Sequence, residues 1–394
     1  MTLALALALS PLILLTACLA VELFAGLRPL APIPVRRAAS SAAVIIVPAH
    51  NEASILGPSL VSLKAAASRN SARILVVADN CTDSTAQVAR AAGVEVVERH
   101  EPDRRGKGFA LDFGRRALSA DPPDVVLVID ADCTIDSQSV ERLVATCLAS
   151  GRPCQAINLQ NAAPGAPPSV QLSTFAFYVK NVVRQRALQR LAKQVHLVGT
   201  GMAFPWHAFS FATLATEEIV EDLTLGLELA ALGYRSSLDE GAAVWSQPET
   251  QAKTLIQRRR WEGGFIAHAL RAGPRMLARN LKRRNLGGIW AAVDVMIPPL
   301  ALLFTLDVGA LVVAGVVVWT TDAAPWPPLL LLGALLATAV GLLLAWSTGG
   351  SRFISVRGLA SAPLYVLWKL PLYASLARNR APRDWVRSRG ADHD

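Results

Sequence analysis

The sequence predicts an α/β chain in which a mostly parallel, Rossmann-like sheet domain is flanked by N- and C-terminal transmembrane and interfacial helices. Three observations predict it. Strand-like and helix-like segments alternate from residue 43 to about residue 130. One of them, Val125–Ile129, is an unbroken apolar run of the kind buried on both faces of a parallel sheet, and it leads straight into Asp130-Ala131-Asp132. Residues 3–27 and much of 289–376 are apolar and long enough to reach across a bilayer.

The bulk numbers agree. Hydrophobic residues make up 52% of the chain, too many for a wholly soluble protein. The formal charge of +9 lies largely in Arg and Lys beside apolar stretches, where the positive-inside rule puts it. No nucleic-acid-binding motif accompanies that charge, so no nucleic acid is expected as a partner; membrane lipids are. The five cysteines form no CxxC pair and have no His at zinc spacing, and they read as reduced, cytoplasm-facing residues.

Residues 1–28 read as a transmembrane helix rather than a signal peptide, since no basic stretch precedes the apolar core. Arg28, Arg36 and Arg37 put the amino terminus outside and the following chain in the cytoplasm, and Pro29, Pro32 and Pro34 stiffen the linker. The soluble domain occupies 40–250. Its strands are expected at Ala43–Val47, Arg73–Ala78, Val94–Val97 and Val125–Ile129. Helices are expected at Ser54–Ala67, Ser84–Ala92 and Gly108–Ala117, and Ala162–Ser169 reads as a loop. Residues 251–285 are amphipathic and interfacial: the basic helix Lys253–Leu270 is followed by Arg279, Lys282, Arg283 and Arg284. Residues 286–377 hold Ile289–Thr320, interrupted by Asp294, Pro298-Pro299 and Asp307, then the clean span Pro327–Trp346 and the apolar stretch Leu359–Leu376. The basic tail 378–394 should stay cytoplasmic, so Leu359–Leu376 is read as re-entrant or interfacial and the chain as crossing three times. An extra crossing within Ile289–Thr320 would satisfy the parity the other way.

Chemistry is expected at the carboxyl ends of the strands, where open α/β sheets bind ligands. Asp130 and Asp132 point the same way as their strand ends, a poor core and a good seat for a hard cation carrying phosphate oxygens; the alternative is an Asp capping the next turn. Pro48, Ala49, His50, Asn51 and Glu52 end the first strand, where polar groups either hold a base and ribose or make an ordinary turn. Asp79 ends the second strand and can meet a uracil edge, while Asp83 or Ser84 caps the following helix. Lys107, in Arg104-Arg105-Gly106-Lys107-Gly108, offers a point charge for a diphosphate, unless that loop is simply solvated. Gly199, Thr200 and Gly201 are small enough to let a sugar approach the backbone.

In order and spacing, Pro48–Glu52, Asp79, Asp130-Ala131-Asp132, Glu221-Asp222 and Gln257-Arg258-Arg259-Arg260-Trp261 resemble the motifs of the membrane-bound family-2 inverting glycosyltransferases, relatives of cellulose, hyaluronan and chito-oligosaccharide synthases. The last element matches that family's QxxRW. The resemblance covers most of residues 43–265. It implies a GT-A nucleotide-sugar domain in which Asp79 contacts the base, Asp130 lies in the nucleotide and metal region, and Asp132 ligates Mg²⁺ or Mn²⁺. It also implies that Asp222, beside Glu221, is the general base on the acceptor hydroxyl, with Gln257, Arg260 and Trp261 near the diphosphate and acceptor. On a helix those three share a face; for Asp222 the alternative is a helix cap before Leu223–Leu232. The segment at Gly199–Phe204 departs from the Cys-containing motif of many polymerising relatives, which leaves acceptor and processivity open. The tail Arg383-Asp384-Trp385-Val386-Arg387 is similar to a segment of some bacterial exopolysaccharide glycosyltransferases.

The expected activity is therefore metal-dependent transfer of a sugar from a UDP-sugar to a polysaccharide or lipid-linked saccharide at the inner membrane, with the catalytic domain cytoplasmic. Alternatives are single-sugar transfer to a lipid, as in ceramide glucosyltransferase-like relatives, and a catalytically idle membrane scaffold. Three spans do not wall a secretion tunnel, so a homodimer or a separate export partner is expected to carry any polymer out.

Overall fold

The computed structural model describes residues 1–34, 41–163, 165–218, 220–247 and 251–378, with only the backbone at 251–260 and 377. The chain divides into two compact units. One comprises Pro29–Asn161 and Lys193–Glu249; the other comprises Met1–Arg28, Ala162–Ala192 and Thr250–Pro382.

The first unit is built on an eight-stranded sheet. Its strands are β1 (Ala43–Ala49), β2 (Arg73–Asp79), β3 (Glu95–Arg99), β4 (Val125–Val128), β5 (Cys133–Ile135), β6 (Cys154–Gln160), β7 (Met202–Pro205) and β8 (Ser237–Ser246), in the order β3-β2-β1-β4-β7-β6-β8-β5. β1, β2, β3 and β4 run parallel, as expected for apolar runs joined by helical crossovers, and β7 and β5 run antiparallel to their neighbours. All four expected strands and three expected helices are present, with ends shifted by one or two residues; β5 to β8 were not expected. Apolar residues cover both faces of β1 and β4: Ile45, Val47 and Leu127 pack with Leu56, Leu60 and Leu143 on one side, and Ile46, Val126 and Val128 with Leu111 and Phe204 on the other. Pro48 is tolerated inside β1 for a local reason. The Ile46 carbonyl accepts from the Ile129 N–H, so by alternation Pro48 faces the same side, beyond the last β4 pairing at Val128, where no ladder bond is lost.

β5 lies at the far edge of the sheet, yet only residues 129–132 separate it from β4. The sheet curls enough for one short turn to join its middle to its edge. That turn, closed by the Cys133 N–H donating to the Asp130 carbonyl at 3.0 Å, carries both expected metal carboxylates.

The second unit is helical. Among its described residues three helices are long and apolar enough to cross a membrane: Thr2–Gly26, Leu300–Thr320 and Trp326–Thr348. Pro298-Pro299 separates the first part of the expected Ile289–Thr320 stretch as its own helix, Leu286–Met296. The basic helix is longer than expected, Gln251–Lys282, and Leu359–Leu376 becomes two pieces, Val356–Ala360 and Ala362–Arg378. The buried Arg184 is paired: its guanidinium donates to Glu22 at 2.9 Å and to Asp294, and the Trp290 indole donates to Glu22 at 3.0 Å. The tail motif Arg383–Arg387 lies outside the described residues.

Candidate active site

The carboxyl ends of β1 and β2 are tied to each other. Asn51 takes a left-handed conformation (φ +54°), which lets its carboxamide oxygen accept from the backbone N–H groups of Thr82 (2.7 Å) and Asp83 (3.2 Å). Asp83 in turn accepts from the N–H groups of Ala53 (3.2 Å) and Thr85 (3.0 Å), and the Glu52 N–H donates to the Thr85 hydroxyl at 2.8 Å. His50 Nδ1 lies 2.6 Å from the Asp79 carbonyl oxygen, which fixes its proton on that nitrogen. Pro48 and Ala49 belong to the strand itself.

Asp79 is nearly buried, and Arg99 at the end of β3 donates to its carboxylate at 2.6 Å. The same guanidinium reaches the Arg104 carbonyl (2.8 Å) and Glu101 (3.0 Å) and lies 5.2 Å above the Phe109 ring. Burial raises the Asp79 carboxyl above its ordinary range, and Arg99 opposes that shift without cancelling it. Sequence reasoning had not singled out Arg99. Its only local signal is a cation at the end of a strand parallel to the one that ends in Asp79.

A second group gathers around Gly199. Lys107 opens the helix Lys107–Leu118, and its ammonium donates to the Asp130 carboxylate and, at 2.7 Å, to the Gly199 carbonyl. Burial alone would lower the Lys107 pKa; Asp130, Glu221 and Asp222 outweigh it and raise it, so the lysine is charged. The Asp130 N–H donates to the Thr200 hydroxyl at 3.1 Å. Burial raises the Asp130 carboxyl, Lys107 opposes, and the Asp132 charge adds to the rise. The backbone at Gly199 (φ +87°) favours glycine, and a Cβ there would lie a tight 3.3 Å from an Asp222 carboxylate oxygen and 3.6 Å from the Lys107 ammonium.

Glu221 and Asp222 begin the helix Glu221–Ala231, whose N-cap is Val220. Asp222 is thus not the cap residue; one of its oxygens accepts from the Leu223 N–H at 2.8 Å, and the other faces Gly199. Glu221 is pushed up to about 8, chiefly by burial and then by the Asp222 charge, with Lys107 pulling the other way. The structure therefore brings together Lys107, Asp130, Gly199, Thr200, Glu221 and Asp222, while Gly201 (φ +68°) is packed behind them against Val244 and Ala156.

Ligating atoms of Asp130, Asp132 and Cys133 lie within 4.8 Å of one another. The buried Cys133 thiol is raised well above its ordinary value, by burial first and then by the two carboxylates, and the hard oxygen donors of the set are those of Asp130 and Asp132. That set suits Mg²⁺ or Mn²⁺, hard cations that complete their shell with phosphate oxygens and water. The side chains of Gln257 and Arg260 lie outside the described residues; Trp261, on the helix Gln251–Lys282, is partly exposed.

Residues 41–264 match the family model described as glycosyltransferase like family 2. A solved mannosyltransferase from Pyrobaculum calidifontis, in complex with GDP-Man and Mn²⁺, superposes with a TM-score of 0.57 at 18% identity, over 94% of this chain and all of that one. Among curated proteins, an uncharacterized protein of Methanocaldococcus jannaschii is 35% identical over 107 residues, 27% of this chain and 42% of its own length. An uncharacterized glycosyltransferase of Mycobacterium tuberculosis is 37% identical over 107 residues, 27% of this chain and 44% of its own. The chain thus spans less than half the length of these two relatives.

Proposed function

The chain belongs to the glycosyltransferase like family 2, and from that premise we propose that it is a membrane-anchored, inverting enzyme that moves a sugar from a nucleoside-diphosphate donor, a UDP-sugar, to a saccharide or lipid-linked saccharide acceptor. The observation that carries this reading is that Lys107 bridges the Asp130 carboxylate and the Gly199 carbonyl while an Asp222 carboxylate oxygen faces Gly199, so one cation and two carboxylates gather at one glycine.

Each residue has a part that its surroundings favour. Asp132 and Asp130 hold the divalent cation, which when bound neutralises charge on the diphosphate as it leaves. Lys107, kept charged by its carboxylate neighbours, adds a second positive group on the same side. Asp222 accepts the proton of the acceptor hydroxyl, and a base opposite the leaving group gives single displacement with inversion. Burial and the Asp222 charge raise the Glu221 carboxyl to about 8, which favours leaving the negative charge on Asp222. Asp79, fixed by Arg99, borders the base, and Gln257, Arg260 and Trp261 serve the diphosphate and acceptor. The GDP-Man and Mn²⁺ of the Pyrobaculum mannosyltransferase support a nucleotide-sugar donor with a divalent metal on this fold. Basic flanks beside the membrane helices support a cytoplasmic catalytic unit at the inner membrane, and an exopolysaccharide precursor is the acceptor we favour.

Asp222→Asn tests the assignment, because it keeps size and the hydrogen bond from Leu223. We expect UDP and Mn²⁺ affinity near wild type and sugar transfer lower by about a hundredfold or more. Radiolabelled nucleotide sugars, with products extracted into water and organic phases, give the readout and name the donor. Wild-type turnover in the variant would leave Asp222 a structural residue.

A further inference from the structure

One buried polar cluster in the helical unit has no part in the chemistry described so far. Glu262, on the helix Gln251–Lys282, is nine-tenths buried, and its carboxylate accepts from the ammonium of Lys369 and, at 3.1 Å, from the hydroxyl of Tyr373. Both partners come from the helix Ala362–Arg378, and both are as buried as Glu262. The Lys369 ammonium also lies 5.4 Å from the Tyr365 ring centroid and 5.7 Å from that of Tyr373. Three residues further along the first helix, Phe265 lies under the Lys180 ammonium at 5.6 Å.

A buried ion pair recovers little more than the desolvation of its two charges, so this cluster is a poor source of stability. It is a good source of geometry, because a charge pair with a third hydrogen bond has one arrangement that satisfies it. What it fixes is set by sequence position. Glu262 directly follows Trp261 in the segment Gln257–Trp261. At roughly 100° per residue, positions 257 and 260 fall on the side of the helix opposite position 262. The cluster therefore grips the helix on the side away from positions 257 and 260. The gripping helix is itself seated: Leu372 and Tyr373 pack with Ala301 and Leu302 of the span Leu300–Thr320.

We propose that Lys369 and Tyr373 are positioning residues for sugar transfer: through Glu262 they set the rotation and depth of the helix that carries Gln257, Arg260 and Trp261, and they refer that setting to a membrane span. The proposal rests on the glycosyltransferase reading, in which those three residues serve the diphosphate and acceptor. The last apolar helix thereby has a part in the reaction, although it contributes no reacting group.

The test uses the full chain in lipid nanodiscs, with kcat, the donor KM and UDP–Mn²⁺ affinity measured for wild type, Lys369→Met, Tyr373→Phe and the exchange Glu262→Lys with Lys369→Glu. Lys369→Met should lower kcat about tenfold or more while UDP–Mn²⁺ affinity stays within about twofold. The charge exchange should restore most of the loss, and Tyr373→Phe should show a smaller loss of the same kind. A structural role alone would lower the amount of folded protein and leave its kcat intact. Turnover at the wild-type rate in both single variants overturns the proposal, as does a loss shared equally by UDP–Mn²⁺ binding. Should Lys369→Met not fold, Tyr373→Phe, which removes one hydrogen bond and no charge, is judged by the same criteria. A wild-type chain that transfers no sugar from any donor overturns the glycosyltransferase reading and this one with it. A wild-type chain that transfers, beside variants that match it, overturns this one alone.

Discussion

At the scale of single residues, the cluster around Gly199 sets like charges against one cation. Lys107 faces Asp130, Glu221 and Asp222, and the excess of acid is relieved by a proton on Glu221, whose value of about 8 compares with 4.5 for an ordinary glutamate. The sign of the stability effect follows. A carboxyl held more tightly protonated in the folded state stabilises it fully below about 4.5, and that contribution is lost as pH rises through about 8. Thermal unfolding followed from pH 5 to pH 9 should therefore show a shallower decline for Glu221→Gln than for wild type; parallel curves would place the proton elsewhere. Asp132 makes a different demand. Asp132→Ala removes one of two carboxylates from the cation seat and should weaken Mn²⁺-dependent UDP binding by at least about tenfold, measured by calorimetric titration, and abolish transfer with it. The positions of Asp130 and Asp132 were legible in the sequence, since they follow the apolar run Val125–Ile129, while Asp222 was found only through the family resemblance. Arg99 was not. A cation closing a short strand looks solvated until the parallel register sets Arg99 beside Asp79, twenty residues earlier in the chain.

At the scale of elements, legibility followed the range of the forces involved. β1, β2 and β4 are dense in Val and Ile and bury both faces, so a local pattern was enough to find them. β6 carries Gln155, Asn158 and Gln160, all buried, and a strand with polar residues inside the sheet shows no apolar alternation. Gln155 is there to donate to the Thr200 carbonyl at 2.8 Å and accept from the Val198 N–H at 3.1 Å, contacts over forty residues away that no window contains. β8 includes Asp239-Glu240-Gly241 and an irregularity in its pairing with β6, and β5 and β7 have three and four residues. The Gly199-Thr200-Gly201 turn is the joint between these hidden strands and the visible ones. Gly201 sits there at φ +68°, and a Cβ would come within 2.8 Å of Val244 and 3.0 Å of the Ala156 Cβ. Gly201→Ala should cost about 2–4 kcal/mol through the left-handed backbone and overpacking together, read as a lower denaturant midpoint. An unchanged midpoint would mean that the turn has room the structure does not show.

At the scale of the whole molecule, two kinds of order meet in one chain. Among its described residues the helical unit supplies three helices fit to cross a bilayer, as the sequence suggested, and Ala362–Arg378 is not among them. The positive-inside rule expects Arg28, Arg279 and the basic tail on one side, so a single cysteine added near the carboxyl terminus should resist an impermeant thiol reagent in intact cells and react after permeabilisation; labelling of intact cells would add or remove a crossing. The sheet unit has its own kind of closure. β4 bonds to β7, β7 to β6, β6 to β8 and β8 to β5, and β5 returns to β4 through residues 129–132. The strands and that turn form a hoop, and the turn that carries Asp130 and Asp132 is the clasp. Both ends of the clasp are therefore tied into one hydrogen-bonded circuit, at β4 in the middle of the sheet and at β5, through β8, on its edge.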